Sequence, residues 1–210
     1  AAPLHDRRSF TIDNDYSVSS HPLNQPAWAV HLAVTGTGPT AQRIAATLSQ
    51  CGFVVHRADH QDGARRRFRP EVAVLVTHYV VDPALRGYWL RDDVPHLPVV
   101  FGDSEVHIGP MIEPGTGPCL YCLERQHADA DAAWPAIASQ LLGTVGPAET
   151  PLISAEVAAL AARMVVSRVR HAASSESVSR HLDVRGGTLS VRSERPHPLC
   201  LCTGLARRLA

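Results

Sequence analysis

Four cysteines in two close pairs place the strongest constraint on how this chain can fold. Cys119 and Cys122 are spaced CxxC within GPMIEPGTGPCLYCLER, and Cys200 and Cys202 are spaced CxC within HPLCLC. Two close thiol pairs separated by a long insertion are typical of a tetrahedral tetrathiolate zinc site, in which each pair supplies one edge of the tetrahedron. We therefore expect the C-terminal segment to return to the middle of the chain and complete a structural metal site, with no open position for water.

Two disulfides, or four unrelated core cysteines, are the competing interpretations of the same pattern. The first residues, AAPLHDRRSF, contain no apolar segment of a secretory signal, and no apolar run approaches the roughly 20 residues of a membrane span. These features predict a cytoplasmic protein without a membrane partner, and in that compartment a metal is favoured over disulfides. The fifth cysteine, Cys51, is expected to pack rather than to bind a metal.

Composition limits the domain organisation and the function classes. Residues 1–26 are polar and predict an arm or linker, whereas residues 27–210 are expected to form one domain with a full hydrophobic core. The formal net charge is zero, so a global electrostatic footprint for nucleic acid is not expected. Every cationic side chain is an arginine, which excludes any mechanism that needs a lysine ammonium.

A dinucleotide-binding fingerprint follows the first predicted strand. The apolar run 30–34 leads into GTGPTA, a GxGxxA motif that opens a helix with apolar residues at helical spacing. A second strand, 53–55, is followed by an acidic residue about 20 positions after the glycines, the usual ribose partner. This arrangement predicts the fold and leaves open whether a nucleotide is bound. The candidate cofactor-binding residues here are Gly36, Gly38, Ala41 and Asp59.

The rest of the chain predicts a Rossmann-like α/β fold, a mostly parallel sheet flanked by helices. The continuous apolar run at 71–77 indicates a third strand, 97–101 a fourth, and 105–108 is expected to form a fifth. Open α/β sheets bind ligands at the carboxyl ends of their strands, so Asp82 and Arg86 join the candidate site. Helices are predicted over 120–142 and 151–169, followed by a β-hairpin over 178–191 that returns the CxC pair to the CxxC pair.

The histidines predict no second metal site. His107 and His127 are among six histidines that show no HExxH-type spacing. His197 adjoins the CxC pair and is expected to support the thiolates rather than to replace one.

The combination of these motifs resembles the ThiF-type fold of ubiquitin-activating-like enzymes. The resemblance rests on GTGPTA, Asp59, GPMIEPGTGPCLYC, the Ala-rich helix and the late cysteine pair. More narrowly, GPMIEPGTGPCLYCLERQHADADAAWP with HPLCLC is similar to the cyclodehydratase-associated proteins of azoline peptide (thiazole/oxazole-modified microcin) biosynthesis. These are ThiF-like partners of YcaO-type enzymes, and the resemblance covers roughly residues 28–203.

The resemblance implies zinc at Cys119, Cys122, Cys200 and Cys202, and a homodimer or a complex with a YcaO-type enzyme or a precursor peptide. In catalytic members of the wider family, the glycine loop and the position of Asp59 hold ATP, an arginine and a lysine stabilise the phosphates, and an aspartate binds Mg²⁺. This chain has no lysine, and its acidic motif is reduced to THYVVD, with Asp82 as the only acid. Adenylyl transfer depends on cations around the developing charge, so we expect a scaffold that does not adenylate.

Two alternatives stay open. One is an active ATP-dependent adenylating enzyme with Arg43 and Arg86 in place of lysine, and Asp59 and Asp82 as ribose and Mg²⁺ contacts. The less favoured one is an NAD-dependent oxidoreductase, for which the sequence offers no substrate domain. The resembling proteins usually carry an N-terminal winged-helix peptide-recognition domain, for which there is no room before Trp28, so leader-peptide capture by this chain alone is not expected. Either that domain lies on another polypeptide, or it was removed, or the chain is an orphan relative with another role.

Overall fold

The structure of the protein is a computed structural model that describes residues 29–58, 69–171 and 177–202. The predicted arm at 1–26 and the candidate ribose ligand Asp59 lie outside the described residues.

The described residues form one seven-stranded sheet with the strand order β2-β1-β3-β4-β5-β6-β7. Strands β1 to β4 pair in parallel, whereas β5, β6 and β7 extend the sheet in antiparallel pairs. The prediction of a Rossmann-like sheet that ends in a C-terminal hairpin is thus confirmed. The strands are β1 (His31–Thr35), β2 (Val54–Ala58), β3 (Val72–His78), β4 (His96–Phe101), β5 (Glu105–Ile108), β6 (Val178–Asp183) and β7 (Leu189–Ser193).

Helices cover both faces of the parallel half of the sheet because its strands are apolar on both sides. On one face, α1 and α6 pack against each other and against the large residues of the main core. On the other face, the short helices α2 and α3 cover β1 and β3 through Leu85 and Trp89. The helices are α1 (Pro39–Gln50), α2 (Pro83–Arg86), α3 (Tyr88–Arg91), α4 (Leu120–Ala130), α5 (Trp134–Leu141) and α6 (Pro151–Arg170).

The region predicted as one helix over 120–142 is two helices, so that prediction is wrong. Helix α4 ends at Ala130 and α5 begins at Trp134. The Asp131 carboxylate accepts a hydrogen bond from the Ala133 N–H at 2.9 Å, which stabilises a turn between the helices. Pro135 has no N–H to donate to the preceding turn, so it suits the first turn of a new helix rather than the middle of a long one.

No helix in the described parts of the chain is both long and apolar enough to cross a membrane.

Burial of His96 predicts that the fold loses stability in mild acid. His96 is fully buried at the start of β4, and its Nδ1–H donates to the Val94 carbonyl at 2.9 Å. Burial lowers the pKa of His96 from 6.5 to about 4. As the pH falls, the His96 side chain is therefore protonated in the unfolded chain before it is protonated in the folded one. The contribution of neutral His96 to the free energy of unfolding is lost between pH 6.5 and about 4. The expected loss is on the order of 3 kcal/mol of unfolding free energy.

Denaturant unfolding at neutral pH and near pH 4 measures this loss. Other histidines also titrate, so the His96→Asn variant is the control: its amide retains a donor near the Val94 carbonyl but cannot take up the proton. We expect the acid-induced loss to be smaller in His96→Asn than in the wild type. Equal losses in the two proteins would contradict the assignment.

Candidate metal centre and ligand cleft

The four predicted metal ligands come together in one cluster. The Sγ atom of Cys119 lies 3.7 Å from those of Cys122 and Cys200, and the Sγ atoms of Cys122 and Cys202 lie 3.5 Å apart. All four sulfur atoms lie within 4.8 Å of one another. Thiolates bound tetrahedrally to one zinc ion at about 2.3 Å would lie about 3.8 Å apart. The cluster could therefore hold a metal ion, and its spacing is compatible with zinc.

The chain reaches the first cysteine pair through a braced loop. After β5, Ile112 exchanges two backbone hydrogen bonds with His96, and Glu113 then forms a two-point salt bridge with Arg168 of α6. Cys119 is the N-cap of α4 and Cys122 lies in its first turn, so the helix sets the spacing of the pair. Bidentate Arg–carboxylate pairs hold geometry well, so the loop is anchored to both the sheet and α6.

His197 holds the C-terminal segment against α4. Its Nδ1 accepts the Leu199 N–H at 3.1 Å, so its Nε2–H donates to Asp129 at 2.8 Å. Its carbonyl also accepts the Cys200 N–H at 2.9 Å. The ring therefore holds the CxC turn in place through two hydrogen bonds, neither of which involves a sulfur atom.

Three thiols of the cluster have shifted pKa values, which burial raises for Cys119 and Cys202, whereas the pKa of Cys122 is lowered. Burial raises the pKa of Cys119 to about 11. Burial also acts to raise the pKa of Cys122, but hydrogen bonds from the backbone at His197 and Cys119 outweigh it and lower that pKa. Cys122 is thus the thiol best prepared to bind a metal as a thiolate. Cys51, by contrast, is exposed at the end of α1, so the prediction that its side chain serves packing is wrong.

Gly36, Gly38 and Ala41 lie in the predicted strand–turn–helix unit, but contacts within the protein explain why these three residues are small. A Cβ on Gly36 would lie 2.3 Å from the Val76 carbonyl oxygen, and one on Gly38 would lie 2.8 Å from Oε2 of Glu149. Ala41 is fully buried on the inner face of α1. Among the described residues, Arg57 donates to the Gly36 carbonyl at 2.9 Å, and both Arg57 and Arg43 are exposed.

A carboxylate of the protein occupies the position where a helix N-terminus binds anions. Glu149 accepts the Thr40 N–H at 2.9 Å in the first turn of α1. Its other oxygen lies 3.3 Å from Nε2 of His78, and the side chains of Glu149 and His78 are only 7% and 13% exposed. Since Nδ1 of His78 accepts the Gly146 N–H, the proton of the neutral ring is on Nε2, the nitrogen that lies near Glu149. Free N–H groups at a helix N-terminus attract phosphates, and here Glu149 takes one of them.

Asp82 and Arg86 lie near each other but have structural partners. The Asp82 carboxylate caps α2 by accepting the Ala84 N–H at 2.8 Å. Arg86 lies 3.7 Å from the carboxylate of Glu124 on α4. Of the two, Arg86 lines the cleft described next.

A cleft of about 580 Å³ lies between α4, α5 and the face of the sheet formed by β4, β5 and β6. Leu120, Leu123 and Trp134 form part of its apolar wall. Polar side chains of β5 and β6 form a polar wall on one side of the cleft. Gly36, Gly38 and Ala41 do not line the cleft. The polar residues of this wall are Glu105 and His107 on β5, Ser179 and His181 on β6, and Glu194, which follows β7.

The polar wall of the cleft contains a connected group that sequence reasoning missed. His107 and His181 are register partners on β5 and β6, with ring centroids 4.2 Å apart. Nε2 of His107 lies 3.0 Å from Oε2 of Glu105, and Nδ1 of His181 lies 3.6 Å from the same oxygen. Burial is the largest cause of the lowered pKa of each histidine. His107 and His181 are more than 70 positions apart and meet only through the register of β5 and β6. A search for HExxH-type spacing within one helix could therefore not identify them.

Comparison with known proteins gives structural neighbours only. No protein-family model matches the sequence, and no curated protein matches it significantly. The E. coli microcin synthetase McbBCD complex contains a similar chain, with a TM-score of 0.64 and 14% identity over 87% of this chain and 71% of the other. A heterocyclase in complex with substrate and cofactor has a TM-score of 0.62 and 16% identity over 83% of this chain. The chain shares its fold with these proteins.

A third neighbour is E. coli MccB, solved with the peptide MccA, with a TM-score of 0.59 and 13% identity over 83% of this chain. The present chain spans 66% of MccB but only 25% of the heterocyclase. The structural neighbours are thus components of heterocyclases and of microcin biosynthesis, as the resemblance in the sequence predicts. At these identities the similarity establishes the fold.

Proposed function

We propose that this chain is a zinc-stapled, non-catalytic scaffold that works with a YcaO-type cyclodehydratase in peptide heterocycle biosynthesis. The fold shared with heterocyclase and microcin synthetase chains supports this pathway. The observation that carries the non-catalytic part is Glu149, whose carboxylate lies where the glycine loop of an active relative would receive a phosphate.

The Glu149 contacts oppose ATP binding in two ways. The carboxylate uses the Thr40 N–H that would otherwise be available to a phosphate. Its negative charge, only 7% exposed, would also repel a phosphate at the same helix end. Nε2 of His78 lies 3.3 Å from the carboxylate, and both side chains are largely buried, so Glu149 is part of the folded core rather than a surface side chain.

Two of the other candidate adenylation residues also make structural contacts. Asp82 caps α2, and Arg86 pairs with Glu124. No lysine is available to balance the charge that develops on transferred phosphates. These contacts support a chain that presents a surface while a partner uses the ATP.

Zinc is the metal we propose for the cysteine cluster. Four thiol donors at tetrahedral spacing favour zinc over harder divalent ions such as Mg²⁺ or Ca²⁺. Because all four positions are filled by protein, the ion would join the C-terminal segment to α4 and would not activate water.

Calorimetric titration of ATP–Mg²⁺ into the purified protein tests the non-catalytic role. We expect no binding heat with the wild type, because Glu149 repels the phosphates. The Glu149→Ala variant frees the Thr40 N–H and is expected to gain weak binding of ATP or inorganic phosphate. Micromolar ATP binding by the wild type would overturn the scaffold and favour the adenylating alternative, and the next measurement would be a search for an acyl-adenylate.

A reconstituted reaction tests the partnership. We expect a YcaO-type cyclodehydratase from the same genome to bind this chain and to dehydrate its precursor peptide faster when the chain is added, which mass spectrometry detects as loss of water. Glu149→Ala should support the reaction as well as the wild type does, because the scaffold needs no nucleotide. Formation of a homodimer and a cytoplasmic location stay predictions, and light scattering of the purified protein tests the first.

A further inference from the structure

We propose that Glu105, His107 and His181 form a second metal site, which binds a divalent first-row transition metal at the polar wall of the cleft. This site is separate in residues and in chemistry from the cysteine cluster. It does not depend on the proposed scaffold function.

The spacing of the donor atoms suits a common metal ion. Oε2 of Glu105 lies 3.0 Å from Nε2 of His107 and 3.6 Å from Nδ1 of His181. Two ligand atoms that each lie about 2.1 Å from one ion, at tetrahedral or octahedral angles, are about 3.0–3.4 Å apart. Each of the three side chains places one donor atom within 4.8 Å of the others. Small side-chain adjustments would therefore complete the coordination.

A hydrogen-bond chain fixes which nitrogen of His181 can bind the metal. Ser179 Oγ lies 2.6 Å from Oε1 of Glu194, and a carboxylate only accepts, so the serine donates its single proton to Glu194. The same oxygen lies 2.9 Å from Nε2 of His181 and must accept the proton of that nitrogen. The neutral imidazole consequently carries its lone pair on Nδ1, the nitrogen that faces Glu105.

That lone pair has no suitable partner in the described part of the protein. Nδ1 of His181 is buried without a hydrogen bond, and the residue is only 6% exposed. The Glu105 carboxylate oxygen, 3.6 Å away, is also an acceptor. A buried acceptor facing another acceptor is costly unless a proton or a cation lies between them.

A metal ion between Nδ1 of His181 and the carboxylate of Glu105 would satisfy both acceptors. Metal ligands of the imidazole type are commonly held in one tautomer by a carboxylate beyond them, which here acts through the Ser179 hydroxyl. Two histidines and one carboxylate are a common ligand set for zinc and for non-haem iron(II).

The proposed ion would keep coordination positions open. Three protein ligands from the described residues meet there, and all three line the cleft of about 580 Å³. An ion at this place could take a water molecule or an anionic or thiol group of a ligand as a further donor. The cysteine cluster, with four protein donors, has no such capacity.

Equilibrium dialysis against Zn²⁺, followed by elemental analysis, tests the site. We expect two zinc ions per chain in the wild type, and one in His107→Ala and in His181→Ala. His171→Ala, which removes an exposed histidine after α6, is the matched control and should keep both ions. The proposal would be overturned if His107→Ala and His181→Ala both bound as many zinc ions per chain as the wild type.

A nitrogen-15 NMR measurement on the wild type keeps the test independent of whether the variants fold. Without added metal, His181 is expected as the Nε2–H tautomer at neutral pH. Addition of Zn²⁺ beyond one equivalent should then shift its Nδ1 resonance. A doubly protonated His181, or a resonance that Zn²⁺ leaves unchanged, would overturn the proposal even if the variants were unstable.

Discussion

Replacing Cys122 by serine is expected to release the metal from the cysteine cluster and to lower the stability of the whole domain. Cys122 is fully buried, and its sulfur lies 3.5 Å from that of Cys202 on the C-terminal segment. Structural zinc sites contribute about 10–16 kcal/mol of apparent binding free energy, part of which is folding free energy. A loss of about 4 kcal/mol on folding would lower the melting temperature by about 8–16 °C. Thermal unfolding and zinc analysis on the same sample measure both effects.

A chelator and a second cysteine variant separate metal loss from a packing defect. The chelator should bring the melting temperature of the wild type close to that of Cys122→Ser and change the variant much less. Cys51→Ser, at an exposed position outside the cluster, is the control and should retain the zinc and the wild-type melting temperature. Unchanged zinc content and stability in Cys122→Ser would show that the cluster binds no structural metal.

Replacing Gly36 by alanine is expected to destabilise the fold by about 4 kcal/mol, the sum of backbone strain and overpacking. Gly36 has φ = +110°, which L side chains rarely adopt, and a Cβ there would lie 2.3 Å from the Val76 carbonyl oxygen. That oxygen belongs to the central strand β3, so it cannot move without disturbing strand pairing. Denaturant unfolding of the variant and the wild type gives the difference in free energy.

Gly52→Ala is the matched control for Gly36→Ala. Gly52 has φ = +91°, but a Cβ there meets no atom within 4 Å. This control should therefore lose only the strain of the positive φ, about 1–2 kcal/mol. Equal losses in the two variants would show that the approach of Gly36 to β3 costs nothing.

The glycine fingerprint illustrates why a fold motif alone does not identify a ligand. In dinucleotide-binding proteins, such glycines allow a tight turn and a close approach of the phosphates. Here Gly36 allows the approach of a sheet carbonyl, and Gly38 allows the approach of Glu149. The motif correctly predicted the β1–α1–β2 unit because internal packing requires the same residues that a phosphate would.

Two different chemistries lie on either side of α4. Its first turn carries Cys119 and Cys122, whose thiols need a soft metal and complete a closed site with the C-terminal segment. Farther along, Leu123, Glu124 and His127 line the cleft, which also contains the proposed open site. Metal removal at the first site is expected to affect folding, whereas loss of the second should affect only what the cleft binds.

The amino-acid sequence by itself determined the Rossmann-like fold and the cysteine cluster. Apolar runs of strand length, the GTGPTA turn and the CxxC and CxC spacings are local patterns, and local sterics and metal geometry leave few ways to satisfy them. The break between α4 and α5 is also encoded locally, by Asp131 and Pro135. The helical periodicity on both sides of the break led to the prediction of one continuous helix.

Only the tertiary structure decided which residues meet at the two candidate ligand sites. Glu149 reaches Thr40 from 109 positions away because α6 packs beside α1, and no spacing rule links the two residues. His107 and His181 meet because β5 and β6 pair in one particular register, and a shift of one residue would turn one of them to the opposite face. Contacts of this kind depend on how distant elements pack, and packing is a property of the whole chain.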